Sequence, residues 1–462
     1  MTAGYKLLHQ VGDRDQRSAF LCWAYLSFLL LLTVYQDFPL KNIIGEIGRT
    51  PIIMMMPVFL MDELHQLLST RKVRLDTTMQ KALLLFVLYL FFVSIVYVYV
   101  QFLQSNFTFG SENILVKAIK GMVYFVLILL YVRHMHKMLT LAVRMGVIYK
   151  AFAAVFAFIL LYMLAELATI PHAFSFLHAN SGPYWRVRLL TSESSTTGTI
   201  IIVFSTILLY LSQGIANKKR YMSSALVIAG VILYVAVTSS KGFLIVLFLT
   251  VLIMMLRLLD VRRASNIILL VIIGTAGVIG FKALSGDVVS SLQNDMAYYT
   301  SLYTRLGTIL VAIVTMMNHP FGVGTGAYVI YFNVYMETAI DWMRGMFYTL
   351  LHYNDINTSE LATYAESDKN LGVKSGLFQW LMEGGVGAIV FFTLLLRWAY
   401  RCIRGNLVLL AAYLFLCLSF LFISIDIKYE VWLFFTFLGV LPERKSAGER
   451  ERERVENSDR VQ

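Results

Sequence analysis

Residues 82–103 read ALLLFVLYLFFVSIVYVYVQFL, a stretch of the chain without a single charge. A helix crosses the hydrocarbon layer of a bilayer in about 20 residues, so this stretch is long enough to span by itself. Working outward from it, the same pattern recurs at approximately 19–35, 46–64, 114–132, 146–168, 197–215, 222–239, 242–259, 265–284, 374–396, 406–424 and 427–441. The 46–64 candidate is weakened by Pro51 and Pro57 and by Glu46 and Arg49 at its start, and the final candidate is short. Composition agrees with this reading. The 462-residue chain is 58% hydrophobic and 15% charged, with mean hydropathy +0.69. A soluble domain is about half apolar and a quarter charged. The fold class expected is therefore all-α: one integral membrane domain over 1–462, a polytopic bundle of about twelve transmembrane helices.

The net charge of +11 could mark a nucleic-acid binder in a soluble chain. In this one the basic residues gather in short connections, such as Arg71 to Lys81, Lys218 to Arg220, Arg257 to Arg263 and Arg397 to Arg404. With the N-terminus placed inside, about two-thirds of the lysines and arginines fall on the cytoplasmic side, as the positive-inside rule requires. No nucleic-acid partner is expected; membrane lipids are. An even number of spans puts both termini in the cytoplasm, including the charged tail 442–462. Lys6, Arg14 and Arg17 lead into the first apolar stretch without a cleavage pattern, so it reads as a retained span. Cys22, Cys402 and Cys417 fall in or beside apolar runs, which implies no disulfide framework.

Two outer segments are too long to be mere connectors, 169–196 and 285–373, and loops of that length are usually functional. The second carries the acids Asp287, Asp295, Glu337, Asp341, Asp355, Glu360, Glu366 and Asp368 against Arg305, Arg344 and Lys369. Within it Leu306 to Met317 is an apolar helical run too short to span, which should lie in the interface or pack on the bundle.

Four stretches hold residues suited to chemistry. Arg186 and Arg188 precede Glu193 and the run Ser194-Ser195-Thr196-Thr197. Arginine forks bind phosphate oxygens, and a helix start offers free amides; equally, the hydroxyls could cap a helix while the arginines reach lipid phosphates. Thr238-Ser239-Ser240-Lys241-Gly242 is a tight outer turn whose lysine is either a site cation or an ordinary interfacial one. Arg305 precedes the apolar run that ends in His319-Pro320-Phe321-Gly322-Val323-Gly324-Thr325-Gly326. Those glycines turn the backbone sharply or present amides to an anion, and His319 is an acid–base candidate near neutral pH or a structural residue. Lys374-Ser375-Gly376 opens a span carrying Glu383-Gly384-Gly385, where a carboxylate inside the membrane must meet a cation or hold a proton. No clustered His/Cys/Asp set calls for a metal, and no cofactor motif appears.

Taken in order over roughly 184–395, these stretches resemble the bacterial O-antigen polymerase and O-antigen ligase superfamily. The chain departs from the common pattern in having Ser240-Lys241-Gly242 where the family often has Ser-Arg-Gly. It also has Lys374-Ser375 where ligases carry a His-Asn pair, which favours the Wzy-type polymerase branch. The resemblance implies a GT-C-like bundle in the bacterial inner membrane. It implies metal-independent transfer of a glycan from undecaprenyl diphosphate to another lipid-linked oligosaccharide at the periplasmic face, with a chain-length regulator as a further partner. On that reading Arg188, Lys241 and Arg305 clamp the diphosphate and Glu193 or His319 is the base. Arg186, Gly322, Gly324, Lys374 and Tyr328 then bind substrate, with Tyr331 and Tyr335 nearby. The ligase and a lipid-linked oligosaccharide flippase are the alternatives.

Overall fold

The uncharged run at 82–103 lies within one 26-residue helix, Thr78–Leu103, in the computed structural model of the chain. The structure describes residues 16–72, 75–215, 217–238, 240–258, 301–352, 356–366 and 371–441. In chain order the helices are α1 (Gln16–Val34), α2 (Lys41–Ile44), α3 (Met56–Thr70), α4 (Thr78–Leu103), α5 (Ile114–Arg144), α6 (Ile148–Thr169), α7 (Ser194–Ser212) and α8 (Asn217–Val237). They continue with α9 (Lys241–Leu258), α10 (Ser301–Asn318), α11 (Gly324–Val334), α12 (Met336–Leu351), α13 (Ser359–Glu366), α14 (Gly376–Ile403), α15 (Leu407–Ser419) and α16 (Tyr429–Leu441). Among the described residues the only strands are Thr108–Phe109 and Glu112–Asn113, which pair antiparallel between α4 and α5.

Among the described residues, eight helical stretches are long and apolar enough to cross a membrane: α1, Pro51–Thr70, α4, α5, α6, α7, Lys219–Val237 and α14. The chain is thus an all-helical membrane protein. The 242–259 candidate forms the 18-residue α9, and the 406–424 and 427–441 candidates form only the shorter α15 and α16. The 265–284 candidate lies outside the described residues, as do Asp287, Asp295, Asp355, Asp368, Lys369 and the tail 442–462.

Two boundaries differ from the sequence reading, each for a visible reason. Glu46–Arg49 and Pro51–Met55 are 3-10 turns, the second capped by Thr50, whose side chain accepts from the Ile52 amide. Pro57 has no amide to donate to the Ile53 carbonyl, which instead accepts from the Met56 amide, so the α-helix begins only at Met56 and runs on through Asp62 and Glu63. Helix α5 extends past 132 to Arg144, and Arg133 and Lys137 lie inside it rather than in a connection. They can do so because α3 supplies their partners. Arg133 grips both oxygens of Glu63 at 2.8 and 2.6 Å, Lys137 donates to Asp62 at 2.9 Å, and His134 bonds Asp62 and the Tyr25 hydroxyl, each at 2.9 Å. Buried charges persist when paired in this way.

The apolar side chains gather into two cores. The larger joins α1, α4–α9 and α14–α16 around Trp380, Trp432, Phe86 and Phe152. At its centre α16 is buried on every side, as a helix apolar all round must be. The second core is built by the long segment after residue 300. Tyr303 and Val311 of α10, Ala327 and Phe332 of α11, and Met336 and Met343 of α12 pack together with Ile114 at the start of α5. The expected helical run at Leu306–Met317 is α10, which packs on α12 and α14.

The segment after 318 explains both glycine motifs. Helix α11 starts against α4 and α5, and a Cβ on Gly324 would lie 2.6 Å from the Ser94 Cα, one on Gly326 2.6 Å from the Ile114 carbonyl oxygen. Thr325 joins both neighbours, its amide donating to Ser94 Oγ at 3.0 Å and its hydroxyl to the Ala118 carbonyl at 3.1 Å. Helix α14 is broken at Gly385, where φ is 49° and ψ −131°. The loop at Pro320–Val323 docks on the break: the Val386 amide donates to the Pro320 carbonyl at 2.8 Å and the Val323 amide to the Met382 carbonyl at 3.1 Å.

Candidate functional site

Between the two cores, where α1 ends and α5, α7 and α14 begin, lies a cavity of about 690 Å³. Both cores contribute to its wall, Phe125, Trp380 and Ile423 from one and Tyr328 and Leu371 from the other. Six basic residues line it: Arg49, Lys117, Lys120, Arg305, Lys374 and Lys428. The carboxylates of Glu46, Glu112, Glu193, Glu360, Glu383 and Asp426 are interleaved with them.

Lys374 is held at the rim by a braced loop. Its amide donates to Thr308 Oγ1 at 3.2 Å, the Val373 amide donates to Gln379 Oε1 at 2.7 Å, and Tyr328 Oη donates to the Leu371 carbonyl at 3.1 Å. Burial by the surrounding protein pulls its ammonium below the ordinary lysine value, a shift opposed by Glu193 and Glu360 and reinforced by Arg305. Those four charges therefore share one stretch of wall. Glu193 stands at the start of α7, with Oε2 accepting from Ser195 Oγ at 3.2 Å. Arg305 is exposed on α10 and reaches the Phe422 carbonyl at 3.4 Å.

The floor is more deeply built. Lys428 is 1% exposed, donating to Gln36 Oε1 and, at 3.2 Å, to the Thr196 carbonyl. Gln36 in turn donates to Glu430, which also accepts from Thr199 at 2.6 Å. Arg49 donates to Glu46 at 3.2 Å and to Ser192 Oγ at 2.5 Å, which ties the 3-10 turns to the segment before α7.

Of the residues singled out by sequence, Glu193, Arg305, Lys374 and Tyr328 meet in this cavity. Arg186, Arg188, Lys241, His319, Gly322 and Gly324 do not line it. Arg188 is buried, its guanidinium 4.7 Å from the Tyr184 ring centre, and its amide donates to Glu166 at 2.9 Å, so it braces the turn before α7. Arg186 is exposed. Lys241 begins α9, on the same end of the bundle, since Phe243 packs against Gly198 near the start of α7. His319 has both ring nitrogens engaged, with the Tyr97 and Tyr335 hydroxyls at 3.0 Å each, and burial lowers its basicity. A Cβ on Gly322 would meet the Glu383 carbonyl oxygen at 2.3 Å, so Gly322 and Gly324 serve close backbone packing.

No protein-family model matches this chain, and no curated protein matches it. The geometry therefore carries the functional reading.

Arg49, Lys117, Lys120, Asp426 and Lys428 were not among the site residues expected from sequence. A usable signal stood in Asp426-x-Lys428-x-Glu430, three ionisable groups at alternate positions between two apolar runs. Charges so placed are costly in a membrane unless they have partners or a water-filled cavity to face.

Proposed function

We propose that the chain is a glycosyltransferase of the O-antigen polymerase type, joining polyprenyl-diphosphate-linked oligosaccharide units. The observation that supports this is the meeting of Arg305 and Lys374 with Glu193 in a single cavity bordered by further cations. In such a transfer the bond between the sugar anomeric carbon and the diphosphate oxygen breaks, and a bond to an acceptor hydroxyl oxygen forms. Negative charge grows on the departing diphosphate, and preorganised cations stabilise it. Arg305 and Lys374 take that role, with Arg49 and Lys428 behind them, in place of the Arg188–Lys241–Arg305 clamp expected from sequence. Glu193 accepts the proton of the acceptor hydroxyl as general base.

The same reading counts twelve spans by adding α9, α15, α16 and 265–284 to the eight long helices. It sets both termini in the cytoplasm of a bacterial inner membrane and the cavity on the periplasmic side. Lipid-linked oligosaccharide and membrane lipids are its partners, and a chain-length regulator is a further one.

The test is elongation of purified lipid-linked repeat units by the purified protein. Wild type should give a ladder of longer products, and Arg305→Ala with Lys374→Ala should abolish it. A deletion strain separates the rival readings: single repeat units on the core mark a polymerase, an unmodified core a ligase, and units stranded on the inner leaflet a flippase.

A further inference from the structure

Lys374 lies on the stretch 371–374 just before α14, whereas Arg305 belongs to α10. Thr308 joins the two. It is buried and lies outside the cavity lining. Its hydroxyl donates to the Arg305 carbonyl at 2.9 Å and accepts from the Lys374 amide at 3.2 Å. A threonine hydroxyl has one hydrogen to give, and the Arg305 carbonyl takes it, so the Lys374 amide meets a lone pair. One oxygen atom thus binds the backbones of both cations.

Gln379 holds the preceding amide. Its Oε1 accepts from the Val373 amide at 2.7 Å, and its Nε2 donates to Glu383 Oε1 at 2.6 Å. The Val373 amide can only donate, which turns the Gln379 oxygen toward it and the amino group toward Glu383. Glu383 Oε1 accepts as a carboxylate oxygen or as the carbonyl oxygen of a protonated carboxyl, so this bond requires no charge on Glu383. The break in α14 anchors Glu383 in turn: the Met382 carbonyl accepts from the Val323 amide at 3.1 Å, and the Val386 amide donates to the Pro320 carbonyl at 2.8 Å. Gly372 lets the stretch lie against Gln379, since a Cβ there would already stand 3.2 Å from Gln379 Oε1. Consecutive amides of the lysine-bearing stretch are therefore held from α10 and from α14. A pair of cations serves an anion best when its spacing is set before the anion arrives, because no reorganisation is then needed.

We infer that Thr308 and Gln379 are positioning residues that fix Lys374 at a set spacing from Arg305, so that the two cations form a preformed clamp for a diphosphate. The inference rests on the proposed transfer reading for the identity of the anion.

The experiment uses the full-length protein in nanodiscs with inorganic pyrophosphate as probe, and binding is read by calorimetry. Lys374→Ala should weaken binding roughly ten-fold or more, the size of a hydrogen bond to a charged group. Thr308→Val keeps the shape of the side chain and removes the hydroxyl, and Gln379→Met removes the amide at similar length. Each should weaken binding roughly five-fold, the size of one neutral hydrogen bond, and Thr308→Ser should recover most of the loss. In a Lys374→Ala background both changes should shift binding by less than about two-fold, because residues that act through one group are not additive. A residue with a merely structural role, or a direct contact of Gln379 with the anion, would give the same factor in both backgrounds. The two variants act on different helices, so either one carries the test if the other fails to fold. Equal factors in both backgrounds, unchanged binding in both single variants, or no pyrophosphate binding by wild type overturns the inference. Elongation of lipid-linked units by wild type would then leave the transferase reading standing. The expected coupling in a protein that never elongates overturns the transferase reading alone.

Discussion

Gly385→Ala is the substitution on which the geometry speaks most directly. The residue holds φ 49° and ψ −131°, a region that side chains rarely adopt. A Cβ there would lie 2.1 Å from the Pro320 carbonyl oxygen, 2.4 Å from the Gly322 amide nitrogen and 2.6 Å from the Phe321 carbonyl carbon. All three are backbone atoms, so no rotamer change can relieve the overlap. Strain of roughly 1–3 kcal/mol for the dihedrals and roughly 1–3 kcal/mol for overpacking combine to a loss on the order of 4 kcal/mol. Gly345→Ala is the control, since it lies exposed within α12 with nothing within 4 Å of its Cβ. Alanine should there stabilise the helix by roughly 0.5–1 kcal/mol. The assay is the apparent melting temperature of each purified variant in one detergent, followed by loss of the monomer peak on gel filtration. Gly385→Ala should melt several degrees below wild type and Gly345→Ala at or above it. If Gly385→Ala melted with wild type, the locking of the break by the 320–323 loop would be refuted.

Arg305→Ala and Lys374→Ala should each lower the elongation rate roughly 100-fold, the usual effect of removing one charge-stabilising donor, while Arg186→Ala and Lys241→Ala stay within a few-fold; the rates of purified variants decide. Because burial holds the Lys374 ammonium below its ordinary value, its charge is lost as pH rises through that lowered value. The alkaline limb of the rate profile should then move to higher pH in Lys374→Arg, and an unmoved limb would remove Lys374 from the rate-limiting charge. Lys428→Met leaves Glu430 buried without its cation, a loss of roughly 3–5 kcal/mol, and the double change Lys428→Met with Glu430→Gln should recover most of the melting temperature. Failure of the second change to recover stability would show that the pair is not coupled.

The spans were legible because hydropathy over about 20 residues reports the bilayer directly, and α4, α6 and α7 begin and end close to where that pattern put them. What it could not report was pairing. Arg133 and Lys137 look like connection residues until Asp62 and Glu63 of α3 are seen across from them. The same holds for the site. Arg305, Lys374 and Glu193 were visible as charges flanking glycine- or hydroxyl-rich helix starts, a local signal. Arg49, Lys428 and Asp426 reach the cavity only because two distant segments converge there; the alternating charges at 426–430 mark one of them, but no local pattern brings Arg49 to it. The glycines were read as a turn or an anion nest because a permissive backbone is common to both uses. Only the Ser94 and Glu383 backbone atoms lying against Gly324 and Gly322 separate close packing from amide presentation.

The helix beneath the cavity bears on the choice between transfer and transport. A flippase must expose its site to the two sides in turn, which requires one group of helices to rock or gate against another around the site. The element under the cavity is α16, whose Trp432, Phe434, Phe435 and Phe437 are buried in the main core and tie the surrounding helices together. Its cavity end is held by Lys428 on Gln36 and Thr196, and by Glu430 on Gln36 and Thr199. Displacing it would strand those buried charges and reopen the aromatic core together, a loss many times the few kcal/mol that separate working conformations. A floor held in this way favours the proposed transfer over the flippase alternative, and a flippase would have to gate the cavity by moving helices other than α16.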